Sequence, residues 1–180
     1  MGRVTSQHRE LATFLFEDGK AELGIHFPQF AYQTVADKFR HREGAVADSL
    51  DGRFAVLSSL AALTILRLED GDEDAVRHSV ALTESFIADM DAQMREEGFG
   101  DPSIGKQVRS MVGALATRVD WWRRAREGQL DWNEAVRLSV YRNEPPQAET
   151  AMTYSAEALR RFNEGLGGVS DRDLLEGRIG

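Results

Sequence analysis

The sequence contains no cysteine among its 180 residues. A chain without thiols forms no disulfide, holds no iron–sulfur cluster or thiolate zinc site, and has no cysteine nucleophile. Its four histidines, His8, His26, His41 and His78, are scattered, and none has another histidine four residues away. Asp37 and His41 share a helical face, but two ligands do not make a metal site, so an ordinary i,i+4 contact is the better interpretation. We therefore expect no metal and no cofactor.

Long apolar runs and strand patterns are also missing. No stretch approaches the roughly 20 apolar residues of a membrane-spanning helix, and the first ten residues contain no apolar segment of the signal-peptide type. Only four prolines occur, and no alternating segment is bounded by tight hairpin turns. These absences argue against a membrane-spanning chain and against a β-fold.

Apolar residues recur instead at spacings of three and four, which is typical of amphipathic helices. The segment with Leu57, Leu60, Ile65 and Leu68 on one stripe is the most apolar and is the expected centre of the core. Short connections predict an all-α fold, a single compact bundle of roughly six to eight helices. The predicted helices cover approximately residues 6–18, 28–39, 54–68, 76–94, 102–122, 132–141 and 147–163, and a glycine-rich tail with a short segment at 171–175 follows.

Catalytic motifs are absent from the sequence, which has no phosphate-binding loop, no nucleophile elbow and no dinucleotide fingerprint. Asp89, Asp91, Glu96, Glu97 and Asp101 are close enough in sequence to supply a carboxylate pair, but no nucleophile or cofactor partner accompanies them. Acidic clusters on helices are usually solvated faces. We therefore predict that the protein is not an enzyme.

A second acidic run extends from Glu69 to Asp74. It lacks the carboxylate spacing of a calcium loop. We interpret it as a solvated connection whose acids favour the N-terminus of the next helix.

Arg118 lies in line with apolar positions. The stripe formed by Ile104, Val108, Met111 and Leu115 reaches Arg118 after three more residues. A buried charge is costly unless it is paired. Two interpretations stay open: the side chain extends to the surface at the helix end, or it belongs to a paired polar core or to a charged groove that receives a partner.

A basic segment surrounds this arginine, although the net charge of the chain is −8. Three partners are open: a nucleic acid, an acidic neighbouring helix, or anionic lipid head groups. An acidic protein repels phosphate backbones, so the last two are favoured. The segment contains Lys106, Arg109, Arg118, Arg123, Arg124 and Arg126, interleaved with Trp121 and Trp122.

The segment Asp89–Val108, DMDAQMREEGFGDPSIGKQV, resembles the signature of the ubiquinol–cytochrome c chaperone family. Upstream, the sequence DSLDGRF at residues 48–54 resembles a second block of that family. Downstream, Arg118 with Trp122 and Arg142 with Asn143 resemble two more blocks. The blocks follow the family's order and gaps over roughly residues 32–143. The chain departs from the pattern at Leu60, Thr117 and Trp122, where the usual residues are histidine, glycine and tyrosine.

The resemblance implies an assembly chaperone of the cytochrome bc1 complex (respiratory complex III) that binds newly made cytochrome b. It implies a helical domain over residues 27–165, preceded by a helical extension (1–26) and followed by a tail (166–180). We expect a bacterial cytoplasmic protein that acts at the periphery of the inner membrane, with cytochrome b or an assembly intermediate as its partner and no nucleic acid.

The residues of the matching blocks are the candidate client-binding residues. We expect their charged members to converge near one surface, with Gly98 and Gly100 forming a bend and the Asp51–Arg53 segment capping a helix. The candidates are Asp48, Asp51, Arg53, Phe54, Asp89, Asp91, Arg95, Glu96, Gly98, Gly100, Asp101, Lys106, Arg118, Trp122, Arg142 and Asn143.

Two other classes of function remain open. A peripheral scaffold with a different client needs only an exposed apolar patch or a dimer face. An unrecognised enzyme, the less favoured alternative, needs a deep pocket with a perturbed carboxylate or histidine. The sequence sets neither the oligomeric state nor the client segment, and we propose no haem ligand.

Overall fold

A computed structural model of the chain describes residues 44–47, 49–96, 101–144, 146 and 149–175. These residues form helices and no strand, which confirms the predicted all-α fold. The two helices predicted between residues 6 and 39 lie outside the described residues. The helices are α1 (Leu50–Glu69), α2 (Glu73–Glu96), α3 (Asp101–Arg126), α4 (Trp132–Ser139), α5 (Glu149–Gly167) and α6 (Asp171–Leu175).

Helix α1 is the centre of the bundle and packs against α2, α3, α4 and α5. Every residue from Ala55 to Leu66 is buried, as expected for a helix surrounded by others. The three hydroxyl residues in this stretch donate hydrogen bonds to carbonyls of the preceding turn, as Ser59 Oγ does to Ala55 O at 2.7 Å. Their polar groups are therefore satisfied inside the core.

The aromatic part of the core joins α3 to α4. The rings of Trp122 and Trp132 are 5.2 Å apart, tilted by 54°. The indole of Trp132 donates a 2.9 Å hydrogen bond to Ala156 O on α5. The side chain of Asp131 caps α4 by accepting hydrogen bonds from two backbone amides of its first turn. Three helices are thereby fixed around one tryptophan pair.

The connection between α1 and α2 is the predicted acidic run, and the basic end of α3 faces it. Arg123 forms an ion pair with Glu69 at 2.7 Å, and Arg126 forms one with Asp70. Of the three partners considered for the basic segment, the acidic neighbour is therefore the one observed for these two arginines. Arg77 pairs in turn with both Glu73 and Asp74 in the first turn of α2.

The end of the described chain is tied to α1 through Arg67. Its guanidinium donates to Leu166 O at 3.1 Å and to Val169 O at 2.6 Å, and it pairs with Asp171 at 2.7 Å. Asp171 also accepts a hydrogen bond from the Asp72 amide, and these contacts lower the pKa of its carboxyl. Leu174 on α6 is fully buried. The division of the chain into domains stays a prediction.

Candidate client-binding site

A cavity of about 190 Å³ opens where α1, α2 and α3 meet the segment that follows α4. Phe54 and three methionines form its apolar wall, and Phe54 in turn packs on Phe86 with ring centres 5.9 Å apart. Two arginines and an aspartate supply its charges. The lining residues are Asp51, Phe54, Met90, Met94, Ser110, Met111, Ala114, Arg118 and Arg142.

The first turn of α1 is positioned by a cap and by close backbone packing. The side chain of Ser49 accepts a 3.1 Å hydrogen bond from the Gly52 amide, so the predicted cap within Asp51–Arg53 is wrong by position. Ser49 caps the helix because its hydroxyl reaches the amide three residues on. A methyl group at Gly52 would lie 2.1 Å from Ala47 O. Only glycine lets the segment before α1 approach the helix this closely.

The chain turns sharply after α4, at two residues with left-handed backbone angles. Arg142 has φ 51° and Asn143 has φ 68°, and the Asn143 amide donates to Arg137 O at 2.9 Å. Asparagine tolerates this conformation, but an arginine there is strained. The turn brings the Arg142 side chain to Asp51, and the two form a 2.5 Å ion pair. Two family blocks that are far apart in sequence thus meet at the mouth of the cavity.

Tyr141, which precedes this turn, anchors it to the body of the protein. Its hydroxyl lies 2.5 Å from Gly44 O, 3.0 Å from Ala151 O and 2.8 Å from Ser155 Oγ. Burial raises the pKa of the phenol, and the Ser155 hydrogen bond lowers it by less. This tyrosine fixes the segment before α1, the turn and α5 relative to one another.

Arg118 is the buried charge of the site, with 6% of its surface exposed. Its Nε donates to Ser139 O at 3.1 Å, its Nη1 donates to Ala114 O at 3.2 Å, and its guanidinium carbon lies 5.3 Å from the centre of the Phe54 ring. Within the described part of the chain it forms no ion pair with a carboxylate.

Burial and the nearby Arg142 lower the pKa of Arg118 to about 10, against a smaller opposing effect of Asp51. The open question from the sequence is therefore settled for this side chain. It does not extend to the surface, and its hydrogen-bond partners are backbone carbonyls.

Three charged residues of the family segment, Asp89, Asp91 and Arg95, lie on α2 and are not among the residues that line the cavity. Arg95 donates from Nε to Asp91 Oδ2 at 3.0 Å, one turn apart on the helix. Asp91 Oδ1 is buried and has no hydrogen-bond partner among the described residues. Asp89 is half-buried. On α3, Lys106 is exposed and is not among the residues of the cavity.

Six of the candidate client-binding residues lie wholly or by their side chains outside the described part of the chain. Asp48, Gly98 and Gly100 lie outside the described residues, and so does the bend predicted at the two glycines. The side chains of Arg53, Glu96 and Asp101 also fall outside the described set. Their part in client binding stays a prediction.

Trp122 differs from the other candidates because it is 0% exposed. It lies one turn beyond Arg118 on α3 and packs against Trp132. Its indole nitrogen is buried without a hydrogen-bond partner in the ranges that the structure describes. The ring cannot touch a client in this conformation, so its contribution to the site is to support α3 from the core side.

Sequence reasoning did not single out the methionine wall. Met90 and Met94 are buried on α2, and Met111 is partly buried on α3. The available signal was that Met90 and Met94 recur four residues apart and that Met111 lies on the stripe that reaches Arg118. Methionine is adaptable and is frequent at surfaces that accept varied apolar partners.

The described ranges, 44–47, 49–96, 101–144, 146 and 149–175, offer neither a metal cluster nor a membrane span. No group of three or more histidine, aspartate or glutamate side chains in them could hold a metal ion. None of the helices that the structure describes is both long enough and apolar enough to cross a membrane.

Comparison with known proteins gives one match. The model of the family described as Ubiquinol-cytochrome C chaperone matches residues 42–179. No curated protein and no solved structure matches the chain significantly. The matched range covers most of the chain and includes all four blocks on which the resemblance rests. The chain therefore belongs to the ubiquinol–cytochrome c chaperone family.

Proposed function

We propose that this protein is an assembly chaperone of the cytochrome bc1 complex that binds newly made cytochrome b and catalyses no reaction. The observation that carries the proposal is the family match over residues 42–179. Membership in a chaperone family implies a protein client in the bc1 pathway, and cytochrome b is our choice of client.

The geometry around the cavity is compatible with a client of this kind. Before assembly, a membrane protein exposes apolar segments together with charged loops, and a chaperone for it needs an apolar recess and charges that select the partner. Here an apolar wall lies beside the exposed Asp51–Arg142 pair. Two further charged residues of the family blocks, Arg95 on α2 and Lys106 on α3, are exposed to solvent.

We place the protein at the cytoplasmic periphery of a bacterial inner membrane, where cytochrome b is inserted. We expect no nucleic acid among its partners, because the net charge of −8 repels phosphate backbones. Contact with the membrane surface itself is part of the proposal.

The test is affinity purification of the tagged full chain from gently solubilised cells of its own source, with bound proteins identified by mass spectrometry. Three charge reversals are compared: Arg95→Glu, Lys106→Glu and Arg161→Glu. Arg161 is the matched control for Arg95, since each is an exposed arginine paired with a carboxylate one turn earlier. Arg161 lies on α5, outside the blocks that resemble the family.

We expect cytochrome b to be enriched with the unaltered chain and with Arg161→Glu, and to be reduced with Arg95→Glu or Lys106→Glu. Loss of one charge contact in a binding surface corresponds to about a tenfold change in affinity, or about 1.4 kcal/mol. Absence of cytochrome b, under conditions that preserve bc1 assembly intermediates, would rule out this client. Reproducible enrichment of one protein outside the bc1 pathway would favour the scaffold alternative.

A further inference from the structure

The cavity holds a cation, Arg118, that no carboxylate of the described residues neutralises. Arg118 is 6% exposed, and no described carboxylate lies within ion-pair distance of it. Its Nε and Nη1 bind carbonyls, whereas no hydrogen bond of its Nη2 is seen within the described residues. A guanidinium has five N–H donors and does not lose its proton under ordinary conditions. The site therefore retains both charge and donor capacity.

The carboxylate that the described lining does contain is paired with another arginine. Asp51 lines the same cavity but pairs with Arg142 at 2.5 Å. Among the described lining residues, the charges of Asp51, Arg118 and Arg142 sum to one positive charge, and Arg118 is the most buried of the three. Because the surroundings are apolar, an entering anion would interact with Arg118 more strongly than it would in water.

The size of the cavity limits what can enter. Its volume of about 190 Å³ is below the range of roughly 300–1,000 Å³ that is usual for small-molecule sites. It is large enough for one or two amino-acid side chains. Met90, Met94 and Met111 would face the apolar part of the guest, and methionine adapts to guests of different shape.

We propose that Arg118 binds an Asp or Glu carboxylate of the client protein, and that the methionine wall receives an apolar side chain next to that carboxylate. This inference rests on the proposed function for the existence of a protein client, but it identifies the chemistry of the recognised segment. The exposed Asp51–Arg142 pair stands at the entrance and keeps Asp51 from neutralising Arg118.

The structure offers a substitution that supplies the missing carboxylate internally. Ala114 lines the cavity and precedes Arg118 by one helical turn on α3. A glutamate four residues before an arginine is well placed to form an i,i+4 ion pair. Ala114→Glu should therefore occupy Arg118 from within, and Ala114→Gln adds a side chain of similar size without the charge.

The probes are immobilised peptides of about 15 residues, long enough to present one acidic side chain with its apolar neighbours. They cover cytochrome b and the other bc1 subunits of the same organism. The full-length protein is applied as the unaltered chain, Ala114→Glu, Ala114→Gln and the distant control Arg161→Glu. Circular dichroism and a thermal melt establish that each variant is folded. Every bound peptide is repeated with its acidic residues changed to the matching amides.

We expect the bound peptides to contain an acidic residue beside an apolar one, and amide substitution to weaken binding by about tenfold, or about 1.4 kcal/mol. Ala114→Glu should bind about tenfold more weakly than Ala114→Gln, again about 1.4 kcal/mol, and Arg161→Glu should match the unaltered chain. Equal binding by the two Ala114 variants would overturn the proposal, and so would binding that ignores the amide substitutions.

The outcomes separate this inference from the proposed function. Acid-dependent binding of peptides from another bc1 subunit would support the cavity assignment and overturn cytochrome b as client. Equal binding of cytochrome b peptides by Ala114→Glu and Ala114→Gln would support cytochrome b as client and overturn the cavity assignment. Binding of no peptide would overturn the cavity assignment, whatever the purification from cells shows.

A small anionic amphiphile is the competing occupant. Native mass spectrometry of the purified full chain would show it as a discrete added mass that is present in Ala114→Gln and absent from Ala114→Glu. That result would overturn the protein-segment assignment, whereas spectra without added mass in both variants agree with it.

Discussion

Arg118 and Arg126 lie about two turns apart on α3, but Arg118 is buried and Arg126 is exposed. Arg126 lies at the surface end of the helix and pairs with Asp70, as its neighbour Arg123 pairs with Glu69. Arg118 is buried and has carbonyls and an aromatic ring as its contacts. The exposed Arg123 and Arg126 thus have carboxylate partners. The buried Arg118 has none among the described residues.

The difference separates a structural use of charge from a candidate functional one. Exposed ion pairs contribute little to stability, because water already solvates both partners. A buried guanidinium without a carboxylate costs stability, and Arg118 lines a cavity in which a partner could supply one. The cavity is bordered by tight backbone packing at the start of α1 and by the turn that Tyr141 anchors, whereas the ion pairs of Arg123 and Arg126 are solvated.

The largest loss of stability is expected from Gly52→Ala in the first turn of α1, next to the cavity residue Asp51. The added methyl group would lie 2.1 Å from Ala47 O and 3.2 Å from Val46 Cγ1, and the backbone atom cannot move away as a flexible side chain could. We expect the free energy of unfolding to fall by about 3 kcal/mol, measured by urea denaturation. Gly113→Ala is the control: nothing lies within 4 Å of its new methyl group, and an alanine in a helix should add about 0.5–1 kcal/mol. Equal effects at the two glycines would contradict the tight packing described before α1.

Tyr141→Phe is the next in size. The substitution removes the hydroxyl that reaches Gly44, Ala151 and Ser155, and we expect a loss of about 1–3 kcal/mol near neutral pH. The pKa of the folded-state phenol is raised, so above pH of about 10 the unfolded chain ionises first and the wild type loses stability that the phenylalanine variant does not. The gap in unfolding free energy between the two proteins should therefore narrow as the pH rises past about 10. A gap that is constant with pH would mean that the phenol is not held neutral by burial.

The smallest effect is expected at the surface end of α3. The double variant Arg123→Gln/Arg126→Gln removes two exposed pairs, each expected to contribute at most about 1 kcal/mol. The loss should shrink further in 1 M salt, where the Debye length is about 3 Å. Urea denaturation of the variant and the unaltered chain, at low salt and in 1 M salt, measures the loss of unfolding free energy under each condition. A loss as large as that of Gly52→Ala would remove the contrast between the packing beside the cavity and the exposed ion pairs of α3.

The helices and much of the core were predictable because helical periodicity is a local property. Residues three and four apart share a face whatever the rest of the chain does, so the stripes of α1, α2 and α3 and the position of Arg118 in line with apolar residues could be derived from spacing. The resemblance to the chaperone family could also be seen in the sequence, since its blocks are short and ordered. The cap at Ser49 was missed by two to four residues, because several polar side chains there could reach a free amide.

The cavity could not be derived from spacing, because its parts come from segments that only packing brings together. Asp51 and Arg142 meet across 91 residues of chain, after a turn in which an arginine takes a left-handed conformation that its residue type disfavours. The sequence shows that Arg118 and three methionines lie on apolar stripes. It does not show that these stripes face the same space, or that the aspartate in the cavity lining pairs with Arg142. Side-chain periodicity determined the helices and the unusual charge. The packing of α1, α2, α3 and the turn after α4 decided that this charge would lie in an apolar recess whose described carboxylate, Asp51, is paired with Arg142 instead.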